Sequence, residues 1–201
     1  TAPIWIALWI KYVRKGFVAK DMWFAIALSL VGLLLVTKIW DGFKFDFLGL
    51  VGALGSAFAL TGYFLIGDKF GGNRHPMSST IVGLGVAGAF WAVVLPIWKF
   101  PTEIFTMKMD LHGYLAGHQF PGWSLLLWII VMGTIVPYLF VISGLRLLSA
   151  SKSSVLGMLE PVFAGILAWI WLGQSWDGIQ LLGAAVVLIG IYLADRSKAT
   201  A

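Results

Sequence analysis

Six stretches of this chain, at about 22–38, 47–67, 79–98, 123–145, 153–173 and 178–194, are apolar over most of the roughly 20 residues that a helix needs to cross hydrocarbon. Their charges fall almost entirely at the ends. A bilayer offers no water to an unpaired N–H or C=O, and runs this long meet that demand as helices rather than as strands of about 10 residues. Of the 201 residues, 60% are hydrophobic and 11% charged, whereas a soluble domain carries about 25% charged residues. The composition excludes a water-facing globule and predicts an all-α polytopic membrane protein. With no cysteine, the chain has no disulfide framework, thiolate nucleophile or cysteine-ligated metal.

The opening stretch is apolar only from Ala2 to Ile10, too short for hydrocarbon about 30 Å thick at 1.5 Å per residue. It lacks the charged n-region and cleavage pattern of a signal peptide, and it reads as the tail of a helix that begins upstream. About six and a half transmembrane helices result. Lys11, Arg14, Lys15, Lys20, Lys69, Arg74, Arg146, Lys152, Arg196 and Lys198 fall on one side of the membrane, against Lys38, Lys44, Lys99 and Lys108 on the other. This excess predicts that the 11–21, 67–78 and 146–152 loops and the C-terminus are cytoplasmic, in the cell membrane. Trp40, Trp98, Trp123 and Trp176 mark helix ends on the opposite face, as interfacial anchors. The net charge of +5 is then a topology signal, and no nucleic-acid partner is expected.

Pro3 opens "PIWIALW" and Pro161 opens "PVFAGILAW"; each is followed by a short loop, a second apolar run and a glycine, Gly32 or Gly190, 29 residues on. Five membrane crossings separate the two prolines, so the second copy is inverted, and only the loop after the first copy is basic.

The stretch Leu145 to Asp195, with its Glu-Pro pair, Leu-Gly turn and Gln-Leu-Leu-Gly opening, resembles the last two helices of EamA-type members of the drug/metabolite transporter superfamily. "GSAFALTGYFL" from Gly55 and "GTIVPYLFVISGLRLLSA" from Gly133 are similar to that family's sixth and eighth helices. The resemblance implies a helical bundle of two inverted five-helix repeats. On that scheme 1–38 closes the first repeat, 39–46 is a linker, 47–195 is the second repeat and 196–201 a cytoplasmic tail. Gln174 stands where the family usually carries glutamate.

Glu160 is the acidic residue well inside an apolar run, about 7 residues from a helix start near Ser153 and roughly 10 Å deep. Beside it Pro161 cannot donate a backbone hydrogen bond and weakens the helix one turn back. Two readings stand: a substrate or proton pathway group, or a structural carboxylate paired with Lys152 or capping backbone. Gly52, Ser56, Ala59 and Tyr63 share one helix face, which serves either close packing or a cavity wall. Thr134, Pro137 and Tyr138 place a proline and two hydroxyls mid-run; the hydroxyls either repair the broken ladder or line the pathway. Gly83, Gly85 and Gly88 spell G-x-G-x-x-G inside an apolar span, without the preceding strand a dinucleotide site needs, and read as a small-residue helix face. Asp110, His112 and His118 lie in the long 99–122 loop and lack a fourth metal ligand. The Lys69–Ser79 tract, rich in glycine, reads as a flexible connection.

Paired acids, nucleophile elbows and zinc motifs are missing from the sequence, which disfavours an intramembrane lipid-modifying enzyme. The resemblance implies a secondary transporter exporting small metabolites, amino acids or drug-like compounds by alternating access, against the alternative of a non-transporting scaffold or assembly subunit. Expected partners are a small-molecule substrate, the bilayer, protons as coupling ion and a second copy of the chain. No cofactor is expected.

Overall fold

A computed structural model describes residues 1–41, 46–70, 75–197 and 199–200. It is an all-α polytopic membrane protein, with six segments among the described residues long and apolar enough to span a bilayer: Lys20–Thr37, Phe47–Lys69, Pro76–Val94, Gly122–Leu145, Ala150–Leu172 and Gly178–Arg196. Each expected span is present, with shifted ends. The third begins at Pro76, whose missing N–H costs nothing in a first turn, and the His75 imidazole accepts from Met77 N at 3.3 Å. It stops at Val94 rather than near 98 because Pro96 pushes Leu95 to an extended ψ of 141°. Residues 71–74 of the glycine-rich connection and 42–45 of the linker lie outside the described residues.

The helices are α1 (Ala2–Tyr12), α2 (Lys20–Thr37), α3 (Phe47–Phe70), α4 (Pro76–Val94), α5 (Gly122–Ile130), α6 (Val136–Leu145), α7 (Ala150–Leu156), α8 (Glu160–Leu172) and α9 (Gly178–Arg196). They form two compact units, one of Thr1–Lys69 with Leu147–Ala201 and one of Phe70–Arg146. In the second, α4 packs on α6, and a short antiparallel ladder, β1 (Lys108–Asp110) with β2 (Gln119–Pro121), organises the loop before α5.

The first unit is built on the antiparallel pair α2 and α9. Small residues let the two backbones touch: a Cβ on Gly32 would sit 2.6 Å from Val187 N, and one on Gly183 2.7 Å from Val36 N. A Cβ on Gly190 would collide with the Ser29 hydroxyl. The contacts are reciprocal, since Ser29 and Val187, like Gly32 and Gly190, are 158 residues apart, the same offset that relates Pro3 to Pro161. Met22, Ala25, Ile26, Ala7, Val155 and Ala194 form the buried cluster at one end of this pair; Val36, Met158, Val162, Ala184 and Val187 form it at the other.

Trp40, Trp98 and Trp123 are exposed, as interfacial anchors require. Trp176 behaves differently: its indole lies where a side chain on Gly165 would stand and packs against the Val162 cluster, so it serves the core.

Polar ties close the open end of α2–α9. Lys38, left-handed at φ 45°, ion-pairs with Asp177, which caps α9 by accepting from Gln180 N at 2.9 Å. The Gln180 side-chain oxygen accepts from Asp177 N at 3.2 Å, completing a capping box, and its side-chain NH₂ donates to Val36 O at 3.2 Å. The Lys38 ammonium, then the Gln180 backbone N–H, hold the Asp177 carboxyl below its ordinary 3.8, and Asp177 in turn raises Lys38 above 10.5. A depressed carboxylate stabilises above its unfolded value and loses that contribution as pH falls through its folded one; a raised lysine stabilises below its unfolded value and loses it on the alkaline side. Asp177→Asn, which retains a capping oxygen, is expected to lower the thermal midpoint between the two ordinary values of 3.8 and 10.5, with the difference from wild type shrinking below 3.8. Melting curves at neutral and strongly acid pH check this; equal midpoints at neutral pH would show the pair to be idle.

Candidate functional site

Two of the six spans are broken at their middles. The first break is in Gly122–Leu145, where α5 gives way to a π turn, Val131–Ile135, before α6 begins. Its cause is Pro137. Val136 N–H donates to Val131 O, five residues back, and Pro137 has no hydrogen to donate. Met132 O, which would receive from Val136 in an α ladder and from Pro137 in a π ladder, receives neither. Gly133 O loses Pro137 as its α donor, and the donor a π ladder would give it is Tyr138 N; a Cβ on Gly133 would meet Ile129 Cγ2 at 3.7 Å. Thr134 Oγ1 donates to Ile129 O at 3.3 Å. That bond lies one turn before the carbonyls that lose a ladder donor to the proline. Tyr138 follows on the exposed side of α6.

The second break is in Ala150–Leu172. The α7 helix, capped by Ser149 Oγ accepting from Lys152 N, passes through a 3₁₀ turn, Gly157–Leu159, into α8, which opens with Glu160 and Pro161. The span starts at Ala150, not near Ser153. Glu160 therefore lies near its centre, about 15 Å in at 1.5 Å per residue, deeper than the sequence suggests. The carboxylate is exposed and, among the described residues, makes no hydrogen bond or ion pair. Lys152, its expected structural partner, instead donates to the backbone and side-chain oxygens of Asp195. An intramembrane carboxylate so placed is costly unless a cavity, ligand or proton accompanies it.

On α3, Ser56 is exposed and Gly52 has nothing within 4 Å of its Cβ direction, so among the described residues this face is open rather than packed. Tyr63 is half-buried, edge-on to Phe64 at 5.9 Å. The G-x-G-x-x-G run lies wholly within α4, with open space beside all three glycines, and so lacks the strand-to-helix turn of a dinucleotide site. In the long loop the Asp110 oxygens accept from His112 N and Gly117 N, both at 2.7 Å, and those two bonds depress its carboxyl. Among the described residues no three His, Asp or Glu side chains gather as a metal site.

Sequence reasoning missed a polar knot where α1, α3 and α7 meet. Asp68 at the end of α3 takes Arg14 Nη1 at 3.0 Å and Ala150 N at 3.3 Å. The available signal was an acid set among basic loop residues, Arg14 and Lys69, which charge counting treats as topology alone.

The fold is that of a polytopic membrane protein with two broken apolar spans, one of which carries Glu160 near its centre, and the comparisons supply the family. Residues 47–194 match the EamA-like transporter family, to which this chain belongs. An uncharacterized transporter of Archaeoglobus fulgidus is 24% identical over 176 residues, covering 86% of this chain and 56% of its own length. The uncharacterized transporter YdfC of Bacillus subtilis is 21% identical over 191 residues, 95% of this chain and 58% of its own. A WAT1-related chloroplastic protein of Arabidopsis thaliana is 36% identical over 75 residues, 35% of this chain and 17% of its own. The chain thus spans under two thirds of the length of the first two relatives. No solved structure matches it.

Proposed function

We propose that the protein exports small metabolites, amino acids or drug-like compounds by alternating access between two inverted five-helix repeats, in the cell membrane with its C-terminus cytoplasmic and protons as the coupling ion. The observation that carries this reading is the Glu160–Pro161 break: a carboxylate halfway across a span, without a partner among the described residues and next to a residue that weakens the helix. The reciprocal Gly32–Val187 and Ser29–Gly190 contacts support the repeat division at 1–38 and 47–195, because a two-fold relation brings each residue onto its counterpart's neighbour. Ser56, Tyr63, Thr134, Pro137, Tyr138, Glu160 and Pro161 are the pathway residues of this reading. The lack of paired-acid, nucleophile-elbow and zinc motifs in the sequence argues against the enzyme alternative, and the helix breaks argue against a passive scaffold.

The test is efflux of amino acids and toxic analogues from cells carrying the complete gene. Glu160→Gln is expected to reduce efflux several-fold and flatten its pH dependence, and Tyr63→Phe to alter substrate preference. Unchanged transport and pH profile in Glu160→Gln would make the carboxylate structural.

A further inference from the structure

We infer that the Arg14–Asp68 knot is a cytoplasmic latch, which holds one end of α3 against α1 and α7 and whose release opens the pathway to the cytoplasm. The inference rests on the transport reading above. Asp68 joins three segments that the charge bias assigns to the cytoplasm: Arg14 lies in the 11–21 loop, Asp68 in the 67–78 loop and Ala150 in the 146–152 loop. Lys152, two residues after Ala150, ties the same cluster to Asp195 near the C-terminus. At this end α3 is held, with Thr61, Phe64 and Leu65 buried. Its other end differs. From Phe47 to Ser56 every residue is exposed, and Asp46 at the helix start spends its carboxylate on Leu48 N and Gly49 N of its own first turn.

Contacts across the proposed repeat boundary also differ in kind. The α2–α9 contact sets backbone against backbone at Gly32 and Gly183, and it suits a pivot. Trp5 and Phe58 join α1 to α3 ring on ring, and their parting breaks no hydrogen bond of the indole. Arg14 and Asp68 form a charge-assisted bond of 3.0 Å between partly buried side chains. A fully exposed pair holds little, and a fully buried one strands its charges when it parts. This pair lies between those limits. On opening, Arg14, Asp68 and the first-turn Ala150 N exchange one another for cytoplasmic water, an exchange that a mid-span bond does not have.

The experiment reads which side of the membrane reaches Thr61, seven residues before Asp68 on α3 and 7% exposed. Thr61→Cys is made in the protein from its complete gene, with any other cysteine replaced by serine, and a membrane-impermeant thiol reagent is applied to inside-out and right-side-out vesicles. Labelling from the cytoplasmic side is expected to be slow with the latch intact and about tenfold faster in Asp68→Asn and Arg14→Ala, the scale of one charge-assisted bond. Arg14→Lys keeps a cation opposite Asp68 and should keep labelling slow. Ser29→Cys, buried in the α2–α9 contact, should stay protected in every background, which separates opening from unfolding. Arg14→Cys with Asp68→Cys, bridged by a reductant-cleavable bifunctional thiol reagent, is expected to stop efflux, and reductant to restore it. Labelling of Thr61→Cys that is unchanged without the pair, that rises only from the outer side, or that rises equally at Ser29→Cys overturns the latch, as does efflux that continues through the bridge; none of these touches the transport reading. Latch-dependent labelling in a protein that exports no compound tested supports the opening and counts against the transport reading alone.

Discussion

Gly183→Leu is expected to abolish accumulation of folded protein in the membrane. On α9 a Cβ at this position would lie 2.7 Å from Val36 N and 2.8 Å from Gly32 O, both backbone atoms of α2, and 2.7 Å from Leu35 Cβ. Backbone cannot rotate aside, so the leucine must separate two helices whose contact forms the core of the first unit. Overpacking typically costs about 1–3 kcal/mol, and a wedge against backbone belongs at or above the upper end. Between helices in lipid, where close van der Waals packing replaces the hydrophobic drive, little compensates. Gly52→Leu is the control, because among the described residues nothing lies within 4 Å of that site and the change removes a helix-interior glycine. Fluorescence-detected chromatography after detergent extraction checks both. A monodisperse Gly183→Leu protein with an unchanged melting point would mean that α2 and α9 do not touch as described.

The contrast between those glycines shows what a sequence can carry. Gly32 and Gly190 were visible as matching positions in two copies, because a repeat leaves its spacing in the chain. That they face Val187 and Ser29 was not, since helix pairing depends on which faces meet. The six spans were legible from apolar length alone, and the error at the third came from letting a run of apolar residues pass Pro96. Pro137 announced a break, but its form did not follow: a proline permits a kink, a hydroxyl repair or a π turn, and the outcome depends on where Val136 and Thr134 find acceptors. Glu160 was recognisable by its charge, whereas its depth depended on a helix start three residues earlier, at Ala150, where Ser149 provides the cap. The Arg14–Asp68 pair spans 54 residues of sequence and left no local pattern.

Asp68→Ala is expected to destabilise the first unit by about 2–3 kcal/mol, because it leaves two donors without their acceptor at once. The Arg14 and Asp68 side chains are only 24% and 22% exposed, so water replaces the lost carboxylate incompletely, and the pair exceeds the 0–1 kcal/mol of a surface ion pair. The second donor, Ala150 N, sits at the start of the broken span that carries Glu160. Arg14→Ala alone should cost less, since Asp68 keeps its bond to Ala150 and retains access to solvent. The double variant should then be little worse than Asp68→Ala, giving a coupling energy of about 1 kcal/mol or more between the two side chains. Asp68→Asn separates charge from geometry: its amide oxygen can still accept from Ala150 N, so its loss should fall near that of Arg14→Ala. Thermal unfolding of the four proteins in one lipid composition provides the cycle. Additive losses would show that Arg14 and Asp68 act independently, and α1 would then be tied to α3 by apolar contacts such as Trp5 on Phe58, whose ring centroids are 4.6 Å apart.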